Sequence, residues 1–260
     1  MASEKIVLEI DGHIGRLTLN RPSKLNALDP EMLDALDETI RRADREPELR
    51  VLVMSGEGER AFCAGADINA WQELSATAMW HEWTRRGHAL FRAIEELAAP
   101  TIAAIDGIAY GGGLELALAC DLILATTSSR FAFPEAGIAT IPGWGGTVRL
   151  PERIGIARSK YMMFTADPID AATASEWGLA EEILSDRNTL DERVAALGER
   201  IAANAPISVQ TTKQLLRGVG FSRVTIGAES IAGGFAASTA DAREGIAAFR
   251  EKRRPDFSGE

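Results

Sequence analysis

The segment from Ala104 to Ala125, AIDGIAYGGGLELALACDLILA, contains the residue types best suited to chemistry in this chain. Three consecutive glycines, Gly111 to Gly113, precede an apolar run that predicts a short helix, and Glu115 falls in its first turn. This arrangement exposes unpaired backbone N–H groups at the positive end of a helix dipole, beside a carboxylate. Such donors suit a developing oxyanion, glycine lets a substrate carbonyl approach closely, and the carboxylate suits proton transfer next to that carbonyl.

Two purely structural explanations of this segment stay open. Glycines also serve tight packing between a helix and a strand, and the helix dipole alone favours a glutamate in the first turn. A phosphate-binding loop fits less well, because the segment contains no G-x-x-x-x-G-K-[ST] and no G-x-G-x-x-G that runs from a strand into a helix.

Two further segments gain meaning beside the first one. Ala61–Ile68, AFCAGADI, is a loop of small residues that leads into Asp67, which is suited to cap a helix. Phe131–Leu150, FAFPEAGIATIPGWGGTVRL, places Glu135 after a proline at the end of a predicted strand. Each also has a structural explanation: the first can be a tight turn, and Pro-Glu commonly opens a helix.

The elements that must position these segments alternate between strand and helix. Alternating apolar residues predict a hairpin over Ile6–Leu19, and Asp29-Pro30 predicts a helix start. Further predicted strands are Arg50–Ser55, Thr101–Ile105, Asp121–Thr126 and Arg130–Phe133, with a long helical pattern from Trp80 to Leu97; predicted later helices are Ala157–Ala166, Ala171–Trp177, Arg187–Ala203, Pro206–Arg217 and Ala240–Lys252. This order predicts an α/β core followed by a C-terminal helical subdomain.

Composition excludes several classes of protein. The 260 residues suffice for one domain, or one with a small appendage, and 46% hydrophobic with 25% charged residues is typical of a soluble globular chain. A net charge of −10 argues against a nucleic-acid partner. No uncharged run reaches the roughly 18 residues of a membrane helix, and the N-terminus lacks the apolar centre of a secretory signal. Cys63 and Cys120 are isolated in the sequence, which is consistent with a reducing compartment and no structural zinc site. We therefore expect a soluble, cytoplasmic protein without a membrane or nucleic-acid partner and without a metal site.

Taken together and in this order, the three segments resemble the crotonase (enoyl-CoA hydratase/isomerase) superfamily. The resemblance begins at LTLNRPSKLNAL (Leu17–Leu28), ends at FREKRRPDF (Phe249–Phe257), and covers nearly the whole chain. It implies an α/β superhelix of repeated β-β-α turns over residues 1–200, which holds the site, and a C-terminal helical trimerisation region over residues 201–260. It also implies a homotrimer or a dimer of trimers. No metal or redox cofactor is implied, and coenzyme A counts as part of the substrate. Apolar tail residues that need a partner surface agree with this: Ile226, Ile231, Phe235, Ile246 and Phe249.

The resemblance also assigns the chemistry. It implies an enoyl-CoA hydratase that adds water syn across the double bond of a 2-enoyl-CoA thioester to give a 3-hydroxyacyl-CoA. The backbone N–H groups of Ala66 and Gly112 would form the oxyanion hole for the thioester carbonyl. Glu115 would act chiefly as the base toward water, and Glu135 as the acid toward the α-carbon. Two carboxylates in one closed pocket should have split proton affinities, so that one stays protonated.

The same resemblance implies the binding residues. Contacts to coenzyme A fall on Lys24, Ala64, Ala66, Asp67, Ile68 and, from a neighbouring subunit, Lys252. The basic residues around Lys252 also suit a solvated helix end, which the dipole favours.

The tryptophans shape the acyl pocket in this interpretation. Trp71, Trp80 and Trp83 lie in the region that the resemblance assigns to the acyl pocket, although helical spacing also suits core positions. Trp144, in IPGWGGT, occupies a position that is usually small in short-chain hydratases, and we expect it to reduce the space for an acyl chain. The alternative is that it packs inward and stabilises the loop.

Two other functions stay open at this stage. One is a double-bond isomerase that uses Glu135 alone. The other is a non-catalytic acyl-CoA-binding or RNA-binding member of the superfamily. The acidic charge balance counts against RNA, and the presence of both Glu115 and Glu135 counts against a site without catalysis.

Overall fold

The computed structural model describes residues 4–217, 231 and 233–260 of the chain. Its strands are β1 (Ile6–Asp11), β2 (Ile14–Leu19), β3 (Val51–Gly56), β4 (Ala61–Cys63), β5 (Thr101–Ile105), β6 (Ile108–Tyr110), β7 (Leu122–Thr126), β8 (Arg130–Ala132), β9 (Ile169–Asp170) and β10 (Glu182–Leu184). Its α-helices are α1 (Pro30–Asp44), α2 (Ile68–Trp71), α3 (Ala76–Ala78), α4 (Arg85–Glu96), α5 (Gly112–Leu118), α6 (Gly146–Ile154), α7 (Ile156–Thr165), α8 (Ala171–Trp177), α9 (Arg187–Ala202), α10 (Pro206–Arg217) and α11 (Ala240–Glu251). The predicted mixture of strand and helix is confirmed.

Two sheets are built by repeated β-β-α turns. The larger has the order β1-β2-β3-β5-β7-β10 and the smaller the order β4-β6-β8-β9. Each pair β3–β4, β5–β6 and β7–β8 contributes its first strand to the larger sheet and its second to the smaller one, and helices follow each pair. Strands β3, β5 and β7 pair in parallel, as do β4, β6 and β8. Strand β5 is buried along its whole length, which explains its continuous apolar run.

Local signals at the N-terminus were sufficient to predict its structure. The hairpin forms as predicted, with β1 and β2 antiparallel and β2 then parallel to β3. Helix α1 begins where Asp29 accepts a hydrogen bond from the Met32 amide at 2.8 Å, with Pro30 at the first helical position. The N-cap prediction is therefore confirmed.

The long helical pattern before Pro100 is interrupted in the structure. Short helices α2 and α3 lead into a π-helical turn, Met79–Thr84, and only then does α4 begin. In an α-helix, residues three apart share a face, but the wider π turn separates them. Trp83 is consequently buried, whereas Trp80 is 64% exposed.

The C-terminal part of the chain is attached to the core by packing and by an ion pair of a buried lysine. Helix α9 covers the larger sheet, and the predicted boundary at residue 200 lies within its last turn. The buried Lys213 of α10 extends its ammonium group to the carboxylate of Asp121 at 2.8 Å and to the carbonyl of Ala99 at 3.0 Å. In the tail, Arg50 donates to the carbonyl of Phe257 at 2.8 Å. Across the described residues, no helix combines the length and apolar character needed to span a bilayer.

Candidate active site

The three sequence segments meet at one edge of the smaller sheet. Ala64, Gly111 and Pro134 each follow closely on a strand, β4, β6 or β8, and these strands are parallel neighbours. Because the carboxyl ends of parallel strands meet at the same edge, the segments that follow them converge there. They enclose a cavity of about 460 Å³, lined by Ala64, Gly65, Ala66, Ile68, Trp71, Met79, Trp83, Thr84, His88, Gly111, Gly112, Glu115, Pro134, Glu135, Ile138, Thr140, Ile141, Pro142, Gly143, Trp144 and Thr147.

The amides of Ala66 and Gly112 lie side by side at this cavity. Leu28 pairs with the residues on either side of Ala66, donating to the Gly65 carbonyl and accepting from the Asp67 amide, both at 2.8 Å, so that the Ala66 amide faces away from it. Gly112 is the first residue of α5, where amides have no partner within the helix. A Cβ placed on Gly112 would lie 3.3 Å from the Ala66 nitrogen. Within the described residues, no group accepts a hydrogen bond from either amide.

Glu115 is held on one side of these amides by a loop that is distant in sequence. Its carboxylate oxygen Oε1 accepts hydrogen bonds from the amides of Trp144 at 2.7 Å and Gly146 at 2.8 Å, and the side chain is almost fully buried. Burial raises the pKa of Glu115, while these two amides and the nearby charge of Arg149 oppose that rise. The second oxygen, Oε2, is left to accept a proton.

Glu135 lies in the segment that follows β8 and faces the same cavity as Glu115. Its Oε1 approaches Gly111 so closely that a Cβ there would lie 2.7 Å away, and its Oε2 is buried without a hydrogen-bond partner. Burial, with a smaller effect from the charge of Glu115, raises the pKa of Glu135 to about 7. Two amides stabilise the ionised form of Glu115, whereas Oε2 of Glu135 has no donor, so Glu135 is the carboxyl group of the pair that is better suited to hold a proton.

Comparisons with known proteins agree with this geometry. The profile of the family described as enoyl-CoA hydratase/isomerase matches residues 9–260. The chain belongs to this family. It is 36% identical to a short-chain-enoyl-CoA hydratase of Clostridium acetobutylicum over 98% of this chain and 97% of that protein. It is 35% identical to a crotonyl-CoA hydratase of Syntrophomonas wolfei over 99% of both proteins. A crystal structure of an enoyl-CoA hydratase from Bacillus anthracis superposes with a TM-score of 0.94 at 35% identity, covering 99% of this chain and 100% of the other.

The family assignment confirms the resemblance and the fold expected from the sequence. The three segments, with Leu17–Leu28 before them and Phe249–Phe257 after them, were therefore a sound basis for both. What the sequence analysis missed is the set of groups that hold Glu115 in place. These are the amides of the Gly143–Gly146 loop and, behind them, Arg149, which donates to the Trp144 carbonyl at 2.7 Å and forms a two-point ion pair with Glu95 at 2.6 and 2.7 Å. The glycines of that loop were the available signal, since they repeat the pattern seen at Gly111–Gly113.

The positions expected to contact coenzyme A in this enoyl-CoA hydratase/isomerase family member are only partly gathered at the cavity. Ala64, Ala66 and Ile68 line it. Asp67 instead caps α2 and forms a 2.8 Å ion pair with Arg21, which lowers the pKa of its carboxyl group. Lys24 is exposed, next to Leu25, whose carbonyl accepts a hydrogen bond from the Ala64 amide at 2.9 Å.

Lys252 caps the end of α11 and does not line the cavity of its own chain. The tail that follows it is anchored to Arg50, at the start of β3, whereas the site lies where the neighbouring parallel strands end. The contact between Lys252 of a neighbouring subunit and coenzyme A, which the resemblance implies, stays a prediction.

Of the tryptophans expected in the acyl pocket, Trp71, Trp83 and Trp144 line the cavity and Trp80 does not. Trp80 contacts the ring of His81 on the exposed side of the π-helical turn, with ring centroids 4.3 Å apart and the ring planes tilted by 43°. The placement of Trp80 in the acyl pocket is therefore a wrong prediction, and its cause is the π turn, which no sequence pattern revealed. Trp144 is 2% exposed, so most of its indole packs inward.

Proposed function

We propose that this enzyme of the hydratase type adds water syn across the double bond of a 2-enoyl-CoA thioester. The observation that supports this most directly is that one cavity holds the buried Glu115, the half-buried Glu135 and the unpaired amides of Ala66 and Gly112. Amide donors alone would polarise a carbonyl, and one carboxylate would move one proton. Hydration needs both a base for water and an acid for carbon, and the site offers both.

The proposed step follows from this geometry. The thioester oxygen accepts from the amides of Ala66 and Gly112, which makes the β-carbon electrophilic. Glu115 removes a proton from water through Oε2 while the oxygen forms a bond to the β-carbon. The electron pair of the double bond passes to the α-carbon, which takes a proton from Glu135. In this proposal water and the proton are delivered to the same face of the double bond, so addition is syn, and the enzyme resets when the proton returns from Glu115 to Glu135.

Absorbance at the enoyl thioester band tests the proposal. Crotonyl-CoA should lose that absorbance on incubation with the protein and yield a 3-hydroxyacyl-CoA. A parallel incubation with a 3-enoyl-CoA distinguishes the alternatives: an isomerase would produce the conjugated 2-enoyl thioester and consume no water. A protein that binds acyl-CoA but changes neither thioester is a non-catalytic member, and the hydratase proposal is then wrong.

The dependence of kcat/KM on pH should report the protonation state of Glu135. As the acid, Glu135 must be protonated, so kcat/KM should fall as the pH rises through about 7, the value to which burial raises its pKa. Above that pH, kcat/KM should fall about tenfold per pH unit, because the protonated fraction of a single acid falls by that factor. Stopped assays of kcat/KM from pH 5 to 9 measure it. In Glu115→Gln the falling limb should move to lower pH, because the charge that raises the pKa of Glu135 is gone; a limb that stays in place contradicts this coupling.

The acyl group would occupy the apolar part of the cavity, against Ile68, Met79, Ile138 and Ile141, with Trp71, Trp83 and the edge of Trp144 as further walls. The phosphates of coenzyme A would lie toward Lys24 and toward Lys252 of a neighbouring subunit. The proposed division of labour is that residues 1–200 hold the cavity and residues 201–260 form the interface between subunits.

We expect a homo-oligomer in multiples of three. In the described part of the tail, Ile231, Phe235, Ile246 and Phe249 are 55 to 86% exposed, which is unusual for large apolar side chains unless another subunit covers them. Ile226 lies outside the described residues. Multi-angle light scattering at micromolar concentration should give three or six times the mass of the chain. A monomer at that concentration contradicts both the assembly and the contact from Lys252.

A further inference from the structure

The main chain of Trp144 is fixed from both sides. Its amide donates to Glu115 Oε1 at 2.7 Å, and its carbonyl accepts from Arg149 Nη1, also at 2.7 Å. Arg149 is in turn held by the two-point ion pair with Glu95 on α4. The loop therefore has little freedom at the point where the indole leaves the backbone.

The indole fills the space between two glycines. On one side, a Cβ built on Gly87 of α4 would lie 2.1 Å from both Cδ1 and Nε1 of the Trp144 ring. On the other side, a Cβ built on Gly112 would lie 2.7 Å from Cζ3 and 2.9 Å from Cε3. Real Cβ atoms do not approach so closely, so both positions accept only glycine while the indole is present. The ring is in direct contact with the residue that supplies one oxyanion donor.

Two more contacts lock the ring in this position. Nε1 donates to the carbonyl of Trp83 in the π-helical turn at 3.2 Å. The rings of Trp83 and Phe91 lie against it with centroids 5.3 Å away, the latter edge-on. Side chains that are buried, hydrogen-bonded and stacked in this way have a single arrangement.

We infer that Trp144 is a positioning residue for the oxyanion hole, whose indole holds the Gly112 amide beside the Ala66 amide and keeps water from entering behind it. The inference rests on the proposed function, because it concerns the same thioester carbonyl. Oxyanion donors act through a fixed arrangement that does not reorganise during the reaction. The positively polarised edge of the ring, which faces Gly112, also suits a neighbouring negative oxygen. This role differs from that of a residue that limits the length of the acyl chain, which we call an acyl gauge. A change at an acyl gauge would alter the preference between short and long acyl chains.

The first test is Trp144→Phe, which keeps an aromatic ring but withdraws Cζ3 and Nε1. We expect kcat to fall about 10- to 100-fold with KM nearly unchanged, because a misplaced donor weakens the transition state more than the ground state. The fall should be equal for short and long 2-enoyl-CoAs. The infrared carbonyl stretch of a bound saturated acyl-CoA, labelled with ¹³C at the thioester, should lose most of the red shift that the two amides cause.

Leu36→Ala serves as the control for stability alone. Leu36 is fully buried in α1 and does not line the cavity. Its loss should lower the melting temperature and leave the carbonyl frequency and kcat at their wild-type values. A merely structural role for Trp144 predicts the same pattern for Trp144→Phe, and that result would overturn the inference.

Gly87→Ala gives an independent test that leaves Trp144 in the protein. Alanine is the better helix former, so the change is harmless unless its methyl group displaces the indole. We expect Gly87→Ala to lower kcat and the carbonyl red shift as Trp144→Phe does. In the Trp144→Ala background the same change should cause no further loss. If Gly87→Ala lowers kcat equally with and without Trp144, the effect does not pass through the contact between residue 87 and the indole, and the inference is wrong. If Trp144→Ala raises kcat/KM for long relative to short enoyl-CoAs, Trp144 is an acyl gauge instead.

These outcomes separate the inference from the proposed function. If the wild-type protein hydrates no enoyl-CoA, the function is wrong, but the bound saturated thioester still reports whether Trp144 supports the two amides. If hydration occurs and the carbonyl frequency is the same in every variant, the function stands and the inference is wrong.

Discussion

Glutamine in place of either Glu115 or Glu135 is expected to lower kcat for hydration of crotonyl-CoA by about 10²-fold or more. At position 115 the side-chain oxygen of glutamine can still accept from the amides of Trp144 and Gly146, so the loop should keep its place while the base is lost. At position 135 the amide group cannot deliver the proton that the α-carbon needs. Steady-state kinetics of the two variants, followed by enoyl absorbance, measure the loss.

The affinity for a saturated acyl-CoA should change little in both variants, because neither carboxyl group is proposed to hold coenzyme A. Glu176→Gln, an exposed change on α8, is the matched control and should keep the wild-type kcat. Near-normal hydration by Glu115→Gln would show that the two-acid mechanism is wrong. If that variant also interconverts 2-enoyl and 3-enoyl thioesters, Glu135 acts alone and the isomerase alternative gains.

The parts of the fold that were predictable depend on neighbours in sequence. The cap at Asp29 and the hairpin ending at Leu19 need only residues within one turn or one strand pair. The convergence of Ala66, Gly112 and Glu135 was also predictable, through the resemblance, and parallel strands that end at one edge explain why it holds.

The parts that were not predictable depend on contacts between distant segments. Which of Trp80 and Trp83 faces the cavity is decided by the π-helical turn, whose Trp83 carbonyl accepts from the Trp144 indole. The sequence alone does not explain why position 87, within a helix, is a glycine. The structure explains it, because the Trp144 indole occupies the space that a Cβ would fill. The amides that hold Glu115 come from a loop about thirty residues later in the chain. Helix propensity depends on residues that are close in sequence, so it could not predict this contact.

Gly112→Ala should impair hydration most among changes that leave both acids in place. The new methyl group would lie 3.3 Å from the Ala66 nitrogen and 2.7 Å from Trp144 Cζ3, so it would enter the space between the two amides or push the indole away. Because the loss of one oxyanion donor typically costs about 10²–10³ in turnover, we expect kcat to fall within that range. The carbonyl stretch of a bound saturated acyl-CoA should move toward its frequency in water.

Gly137→Ala is the control that decides whether this loss is specific. Gly137 lies in the turn that follows Glu135, has no atom within 4 Å of a built Cβ, and has no positive φ to strain. The same glycine-to-alanine change there should therefore leave kcat and the carbonyl frequency unaltered. If Gly112→Ala folds with a normal melting temperature and hydrates crotonyl-CoA at a rate close to that of Gly137→Ala, the amide of Gly112 does not stabilise the reaction. The oxyanion hole would then have to be sought elsewhere in the cavity.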